Sequence, residues 1–210
     1  MSLLYLIRHG ETDWNRAMRI QGQSDTELNA EGMEQARRLG ARMAGWRIDR
    51  AISSDLARAR ETARLILGDR DLPLETDKRL RERHFGEWEG LTRNEVEARD
   101  EELARRWREE PWTFRPPGGE SLADVARRAT PVVEELREES GHILIVSHGG
   151  TLQAILRHLL GWPDGSGPKL ILFNTGLTIV RLWPDRVRLE RFNDIGHLEL
   201  EPAPASRPEA

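Results

Sequence analysis

Two apolar runs in this 210-residue chain end in the same way: Leu3-Leu4-Tyr5-Leu6-Ile7 stops at Arg8-His9-Gly10, and Ile143-Leu144-Ile145-Val146 stops at Ser147-His148-Gly149. Short runs rich in leucine, isoleucine and valine and bounded by glycine read as strands covered on both faces. Such strands belong to largely parallel sheets, where ligands bind beyond the carboxyl ends of the strands. The repeat therefore points to an α/β chain that delivers two histidines to one edge of a sheet.

Helical patterns fill the space between strands. Asn29 predicts the N-cap of a helix running to about Ala44, with Met33, Ala36, Gly40 and Met43 inward. Arg50 to Ser54 reads as a short strand, and Asp55 as the cap of a helix whose Leu56, Ala59, Ala63 and Ile66 share a stripe. Arg58 falls in the first turn of that helix, where its guanidinium and the free backbone N–H groups suit an anion. Residues 80–90 carry alternating charge and two glycines, with no persistent period, and predict an ordered loop. Glu95 to Arg108 predicts one helix with Val96, Leu103 and Trp107 inward, ended by Pro116-Pro117-Gly118-Gly119. Ser121 and Asp124 form a capping box for a helix with the stripe Leu122, Val125, Ala126, Ala129, Val132, Val133 and Leu136, which Pro131 is expected to kink or divide. After the amphipathic segment Thr151 to Leu160, Gly176–Trp183 and Val187–Phe192 alternate as a hairpin. The expected architecture is a three-layer α/β/α sandwich with a mostly parallel central sheet, in one domain over 1–200. The proline- and alanine-rich tail 201–210 is expected to be disordered.

Composition excludes several classes. A net charge of −4 supplies no general field for nucleic acid, so an anion site has to be gathered locally from arginines. Arginine greatly outnumbers lysine, which suits bidentate anion recognition, although genomic composition or a warm habitat explains the bias equally well. No apolar run is long enough to span a bilayer and no secretory leader is recognisable, so no membrane association is expected. The absence of cysteine agrees with a cytoplasmic protein and leaves no thiolate metal site.

Strand ends bearing Arg8-His9, the turn leading to Arg58, and His148 would bring two histidines and two arginines together. The cluster is positively biased, contains a nucleophile that is potent when neutral, and lacks helical metal-ligand spacing. Phosphoryl transfer fits it best. The chain also resembles the histidine phosphatase superfamily, which includes cofactor-dependent phosphoglycerate mutases and many small phosphatases. The resemblance rests on Arg8-His9-Gly10-Glu11-Thr12, Asn15, Gln21-Gly22, Ser53 to Ala59, Thr62-Ala63, Leu80-Arg81-Glu82, Phe85-Gly86, Pro117 to Ser121 and Ser147-His148-Gly149, in the family's order. It implies that His9 attacks phosphorus, that Arg8, Arg58 and His148 hold the non-bridging oxygens, and that Glu82 serves as general acid and then general base. It further implies that Asn15, Gln21, Gly22 and the Gly149 N–H touch substrate, and that neither metal nor cofactor is needed. Glu87 and Glu89 lie close to Glu82 and compete with it for the acid role. Arg60 and Arg64 read as solvated, His84 as surface or packing, His142, His158 and His197 as structural or solvated, and the tryptophans as core and pocket wall.

The short segment between Gly90 and Ser121 resembles the phosphatase branch, since mutases carry a longer insertion there; Arg105-Arg106 only faintly echoes the mutases' substrate-binding arginines. Trp107, Trp112 and Phe114 are expected to form an apolar lid for varied phosphomonoesters. The expected function is hydrolysis of a small phosphorylated metabolite, such as a sugar phosphate, a phosphoglycerate or phosphorylated ribazole. The alternatives are a phosphoglycerate mutase and, in another class, an idle phospho-ligand binder. Monomer and homodimer both stay open.

Overall fold

Strand β1 (Ser2–Arg8) is the centre of the molecule, and its residues alternate between two cores because successive side chains point to opposite faces. Leu4 and Leu6 join one cluster while Leu3, Tyr5 and Ile7 join the other. In this computed structural model, which describes residues 1–162 and 167–199, the sheet has the order β3-β2-β4-β1-β5-β6. Its remaining strands are β2 (Arg50–Ser53), β3 (Leu74–Thr76), β4 (Gly141–Ser147), β5 (Leu177–Leu182) and β6 (Val187–Asp194). The pairs β1–β4, β2–β4 and β2–β3 are parallel, and the β5–β6 hairpin adds antiparallel to β1. The expected mostly parallel central sheet is therefore observed.

Helices cover both faces. Helix α2 (Ala30–Arg42) and α3 (Ala57–Leu67) pack Leu39, Ala59, Ala63 and Ile66 against one face, whereas α6 (Leu122–Glu135) and α7 (Gly149–Leu159) pack Val132, Val133, Leu152 and Ile155 against the other. Each of the buried leucine, isoleucine and valine side chains among them contributes about 1.5–3 kcal/mol, so the two cores hold the strand ends firmly. A smaller cluster of Ile20, Trp88, Val96, Ala104 and Phe114 sits beneath α4 (Arg93–Arg99) and α5 (Glu101–Glu109). The short helix α1 (Asp13–Arg16) follows β1 directly, capped by Thr12.

Several expectations need correction. The single helix over 95–108 is two, because Asp100 leaves the helical conformation and its side chain accepts from the Leu103 N–H to cap α5. Asp55 does not cap α3: its carboxylate pairs with Arg81 at 2.6 Å, and the Ala57 N–H donates instead to Asp25 Oδ1 at 2.7 Å. The inner face of α2 is Gly32, Gln35, Ala36 and Leu39, continued by Met43 just past its end, with Met33 only half-buried. Pro131 does not divide α6, which runs unbroken from Leu122 to Glu135 with Pro131 on its exposed side. The tail 201–210 lies outside the described residues.

Candidate active site

The register of β1 on β4 pairs Arg8 with Ser147, so the next residue of each strand, His9 and His148, emerges side by side. Their ring centroids are 5.1 Å apart. His9 Nδ1 lies 2.7 Å from the Gly10 carbonyl, which can only accept, so Nδ1 carries the proton and Nε2 keeps its lone pair. Burial lowers the pKa of His9 well below 6.5, and the positive charges of Arg58 and Arg8 lower it further. The ring is therefore neutral at neutral pH, as a nitrogen nucleophile must be. His148 is lowered in the same way, first by burial and then by Arg58.

Around His9 stand buried donors without protein acceptors: Arg8 Nε, Arg58 Nε and both ring nitrogens of His148, one of which is a donor in either neutral tautomer. An unpartnered buried polar atom costs about 1–3 kcal/mol, so a cluster of them marks a place kept for an acceptor-rich ligand. Arg58 is fully buried, and desolvation brings its pKa down to about 10, with Glu82, Asp25 and Glu89 opposing that fall. It stays cationic at neutral pH. Its Nη1 donates to the Ser24 carbonyl at 2.8 Å and its Nη2 to the Gly22 carbonyl at 2.7 Å. Gly22 has φ +55°, and a Cβ there would lie 2.0 Å from Glu89 Oε1, so only glycine fits the turn. Arg8 is tied by Nη1 to the Leu172 carbonyl at 2.8 Å.

Glu82 reaches the same cleft from the opposite side. Its Oε1 accepts from the Arg83 N–H at 2.8 Å and its Oε2 from the Gly150 N–H at 3.0 Å. The backbone beneath it is held by Arg128, which donates to the Arg79, Arg81 and Glu82 carbonyls, by Ser147 Oγ on the Leu80 carbonyl and by Thr151 Oγ1 on the Arg81 carbonyl. This scaffold separates Glu82 from its neighbours. Glu87 is exposed, and Glu89 is consumed by the 22–24 loop.

The cleft, of about 640 Å³, is lined by Arg8, His9, Asn15, Gln21, Gly22, Arg58 and Glu82 of the expected set, with His148 buried behind them. Gly149 does not line it but opens α7, where a Cβ would lie 3.6 Å from Arg8 Nε. Asn15 and Gln21 have internal partners: Asn15 Oδ1 takes the Thr12 N–H at 3.2 Å and Gln21 Oε1 the Thr26 hydroxyl at 2.6 Å. A second chamber of about 800 Å³ shares Glu82, Phe85, Arg93 and Trp107 with the first and extends to Arg108, Trp112, Leu122, Gln153 and Lys169. The expected aromatic wall is thus present in Trp107 and Trp112, but cations line it as well, and Phe114 packs in the small cluster instead.

Sequence reasoning missed Asn174, whose Nδ2 donates to the His9 carbonyl at 2.8 Å, and Thr62, whose hydroxyl accepts from the Gly10 N–H at 2.9 Å. Thr62 stands in one of the family's motifs but without a role read from it, and Asn174 belongs to none. His84, His142, His158 and His197 bond to Gly118, Tyr5, Glu134 and Thr175 respectively, away from the cleft. Arg105 pairs with Glu102, and Arg106 lies near Glu110 at 3.5 Å; neither lines the cleft. Among the described residues, no helix is long and apolar enough to cross a membrane.

A model of the histidine phosphatase superfamily (branch 1) matches residues 4–195. The chain belongs to the histidine phosphatase superfamily. A glucosyl-3-phosphoglycerate phosphatase of Mycolicibacterium vanbaalenii is 40% identical over 177 residues, 80% of this chain and 78% of that one. A probable phosphoglycerate mutase of Serratia proteamaculans is 37% identical over 182 residues, 86% of this chain and 85% of that one. Among solved structures, a mycobacterial glucosyl-3-phosphoglycerate phosphatase complexed with VO3 superposes with a TM-score of 0.84 at 37% identity, covering 91% of this chain and 98% of that one. The chain is a phosphomonoesterase of this superfamily, with a small phosphorylated molecule as its substrate.

Proposed function

We propose that the chain hydrolyses phosphomonoesters in two steps through a phosphohistidine at His9. The observation that carries this reading is the set of buried, unpartnered donors on Arg8, Arg58 and His148 around a neutral imidazole with its Nε2 lone pair free. In the first step Nε2 attacks phosphorus, the bond to the leaving oxygen breaks, and Glu82 gives that oxygen a proton. In the second, water attacks phosphorus, the P–N bond breaks, and Glu82 takes the water's proton. Arg8, Arg58 and His148 meet the negative charge on the non-bridging oxygens as it shifts; a comparable donor elsewhere is worth roughly 2.7–4 kcal/mol. Asn15, Gln21 and Gly22, which line the cleft, border the phosphoryl group and the start of the leaving group, and Gly149 supports the cradle from the start of α7 beside Arg8 Nε. No metal takes part in these steps.

The second chamber gives the leaving group its class. Arg93, stacked 5.0 Å over the Trp107 ring, and Lys169 offer charge beside two indoles, which suits a hydroxylated leaving group bearing an anionic substituent, such as the sugar acid released from its phosphomonoester. The ion-paired Arg105 and Arg106 favour hydrolysis over a mutase's return of the phosphoryl group. Each residue invoked comes from a single chain, so a monomer and a homodimer would work alike. A cysteine-free sequence suits the cytoplasm. The test is turnover of p-nitrophenyl phosphate in EDTA: the wild type should be active, and rapid alkaline quench, in which a P–N bond survives, should trap labelled phosphoprotein from a labelled substrate in the wild type and none in His9→Ala, whose rate falls by roughly 10⁴-fold or more. No wild-type turnover between mildly acidic and mildly alkaline pH would overturn the reading, and rapid equilibration of 3-phosphoglycerate with 2-phosphoglycerate would replace it by a mutase.

A further inference from the structure

Glu89 ends the 3₁₀ turn Gly86–Trp88, and its side chain is only 13% exposed although it lies outside the cleft. Its carboxylate collects four donors. Oε1 accepts from the Gln23 N–H at 2.9 Å and the Phe85 N–H at 3.0 Å, and Oε2 from the Ser24 N–H at 2.9 Å and the Ser24 hydroxyl at 2.6 Å. Two consecutive N–H groups drawn to one carboxylate fix the peptide planes of the 22–24 loop. The Gly22 and Ser24 carbonyls of that loop accept from Arg58 Nη2 and Nη1, and Thr26 Oγ1 takes a further Nη1 proton at 3.3 Å.

A guanidinium has five N–H donors in a rigid fork. Three are used here, which leaves the Nε proton and one Nη2 proton; these share an edge, and Nε is buried without a partner. That open edge is the geometry that grips two oxygens of a phosphoryl group. Deleting the carboxylate would free the loop carbonyls and with them the orientation of the edge.

We propose that Glu89 is a positioning residue for phosphoryl binding, acting through the 22–24 loop to hold the open edge of Arg58 in the cradle. The proposal rests on the reading that Arg58 binds the phosphoryl group. Glu89→Gln is the direct probe, because a carboxamide has one oxygen to offer where four donors converge and adds an NH2 of its own.

The experiment measures the Kd of orthovanadate by calorimetry in the wild type, Glu89→Gln, Arg58→Ala and the double variant. Glu89→Gln should weaken vanadate roughly tenfold in the wild-type background and less than about twofold once Arg58 is gone, since residues acting in one unit are non-additive. The same factor in both backgrounds overturns the proposal while leaving the phosphatase reading intact, provided the wild type binds vanadate and turns over p-nitrophenyl phosphate. A wild type that binds no vanadate overturns both. The loss in kcat/KM should be equal for p-nitrophenyl phosphate and phenyl phosphate; a larger loss for phenyl phosphate would make Glu89 a proton donor instead. If Glu89→Gln does not fold, Ser24→Ala removes one of the four donors and should weaken vanadate a few-fold only where Arg58 is present; equal weakening without Arg58 again overturns the proposal.

Discussion

The phosphate cradle and the leaving-group chamber meet at Glu82 yet are built on opposite principles. The cradle hangs from the ends of β1 and β4 and the first turn of α3, and its side chains are fixed by bonds to backbone carbonyls such as Gly10, Gly22, Ser24 and Leu172. The chamber wall comes from α4, α5 and the turn after them, over the small Trp88–Phe114 cluster, with exposed pairs such as Arg108–Glu97 at 2.9 Å. Exposed ion pairs contribute about 0–1 kcal/mol, far less than the packing behind the cradle. Rigidity is concentrated where charge develops in the transition state, and the wall that reads the leaving group rests on a thin core that can be altered independently.

The largest effects should follow from the cradle and fall on all substrates alike. Arg58→Ala is expected to lower kcat/KM by roughly 10²–10³-fold, by the same factor for aryl phosphates, sugar phosphates and phosphoglycerates. A steady-state panel checks this, and an unequal loss would break the division between the regions.

A second effect is in pH. Because burial and then Arg58 hold the His9 pKa well below 6.5, kcat/KM should stay flat as pH falls through that value, with its acid limb lower down. Removing the Arg58 charge should move the limb upward. In stability, unfolded histidines take up protons below about 6.5 while His9 and His148 do not, so the unfolded state binds more protons and stability is lost as pH is lowered. His197, lowered to about 4 chiefly by burial, acts in the same direction. Tm should therefore drop between pH 7.5 and 5.5, above the carboxylate range; a flat Tm would mean that the buried histidines are protonated in the folded state.

The same division governs what was legible in the sequence. The strands carrying His9 and His148, the Asn29 and Ser121 caps and the position of Arg58 are local patterns, and each appears in the fold. Three-residue β3 has too little period to be read, and the break at Asp100 depends on a side chain turning back to cap its own successor. The carboxylates near Glu82 could not be sorted by spacing, because the sorting is tertiary: Arg128, Ser147 and Thr151 fix the chain beneath Glu82, while the 22–24 loop claims Glu89. Asp25 in place of Asp55 at the start of α3 is a long-range choice of the same kind, since Arg81 takes Asp55.

The smallest expected effect sharpens the comparison most, because it concerns substrate ratios instead of overall rate. Trp112 lines the chamber and not the phosphate cleft, and its backbone carbonyl, which accepts from the Ala123 N–H at 3.0 Å, is untouched by truncation of the ring. Trp112→Ala should leave p-nitrophenyl phosphate hydrolysis within about twofold while shifting relative kcat/KM among larger phosphomonoesters by roughly tenfold, the scale of a lost apolar pocket contact. Measuring p-nitrophenyl phosphate, glucose 6-phosphate and 3-phosphoglycerate side by side gives the ratios directly. Unchanged ratios would mean that the leaving group leaves Glu82 by the first cleft, past Arg19 and Ile20, and that the second chamber plays no part in selecting it.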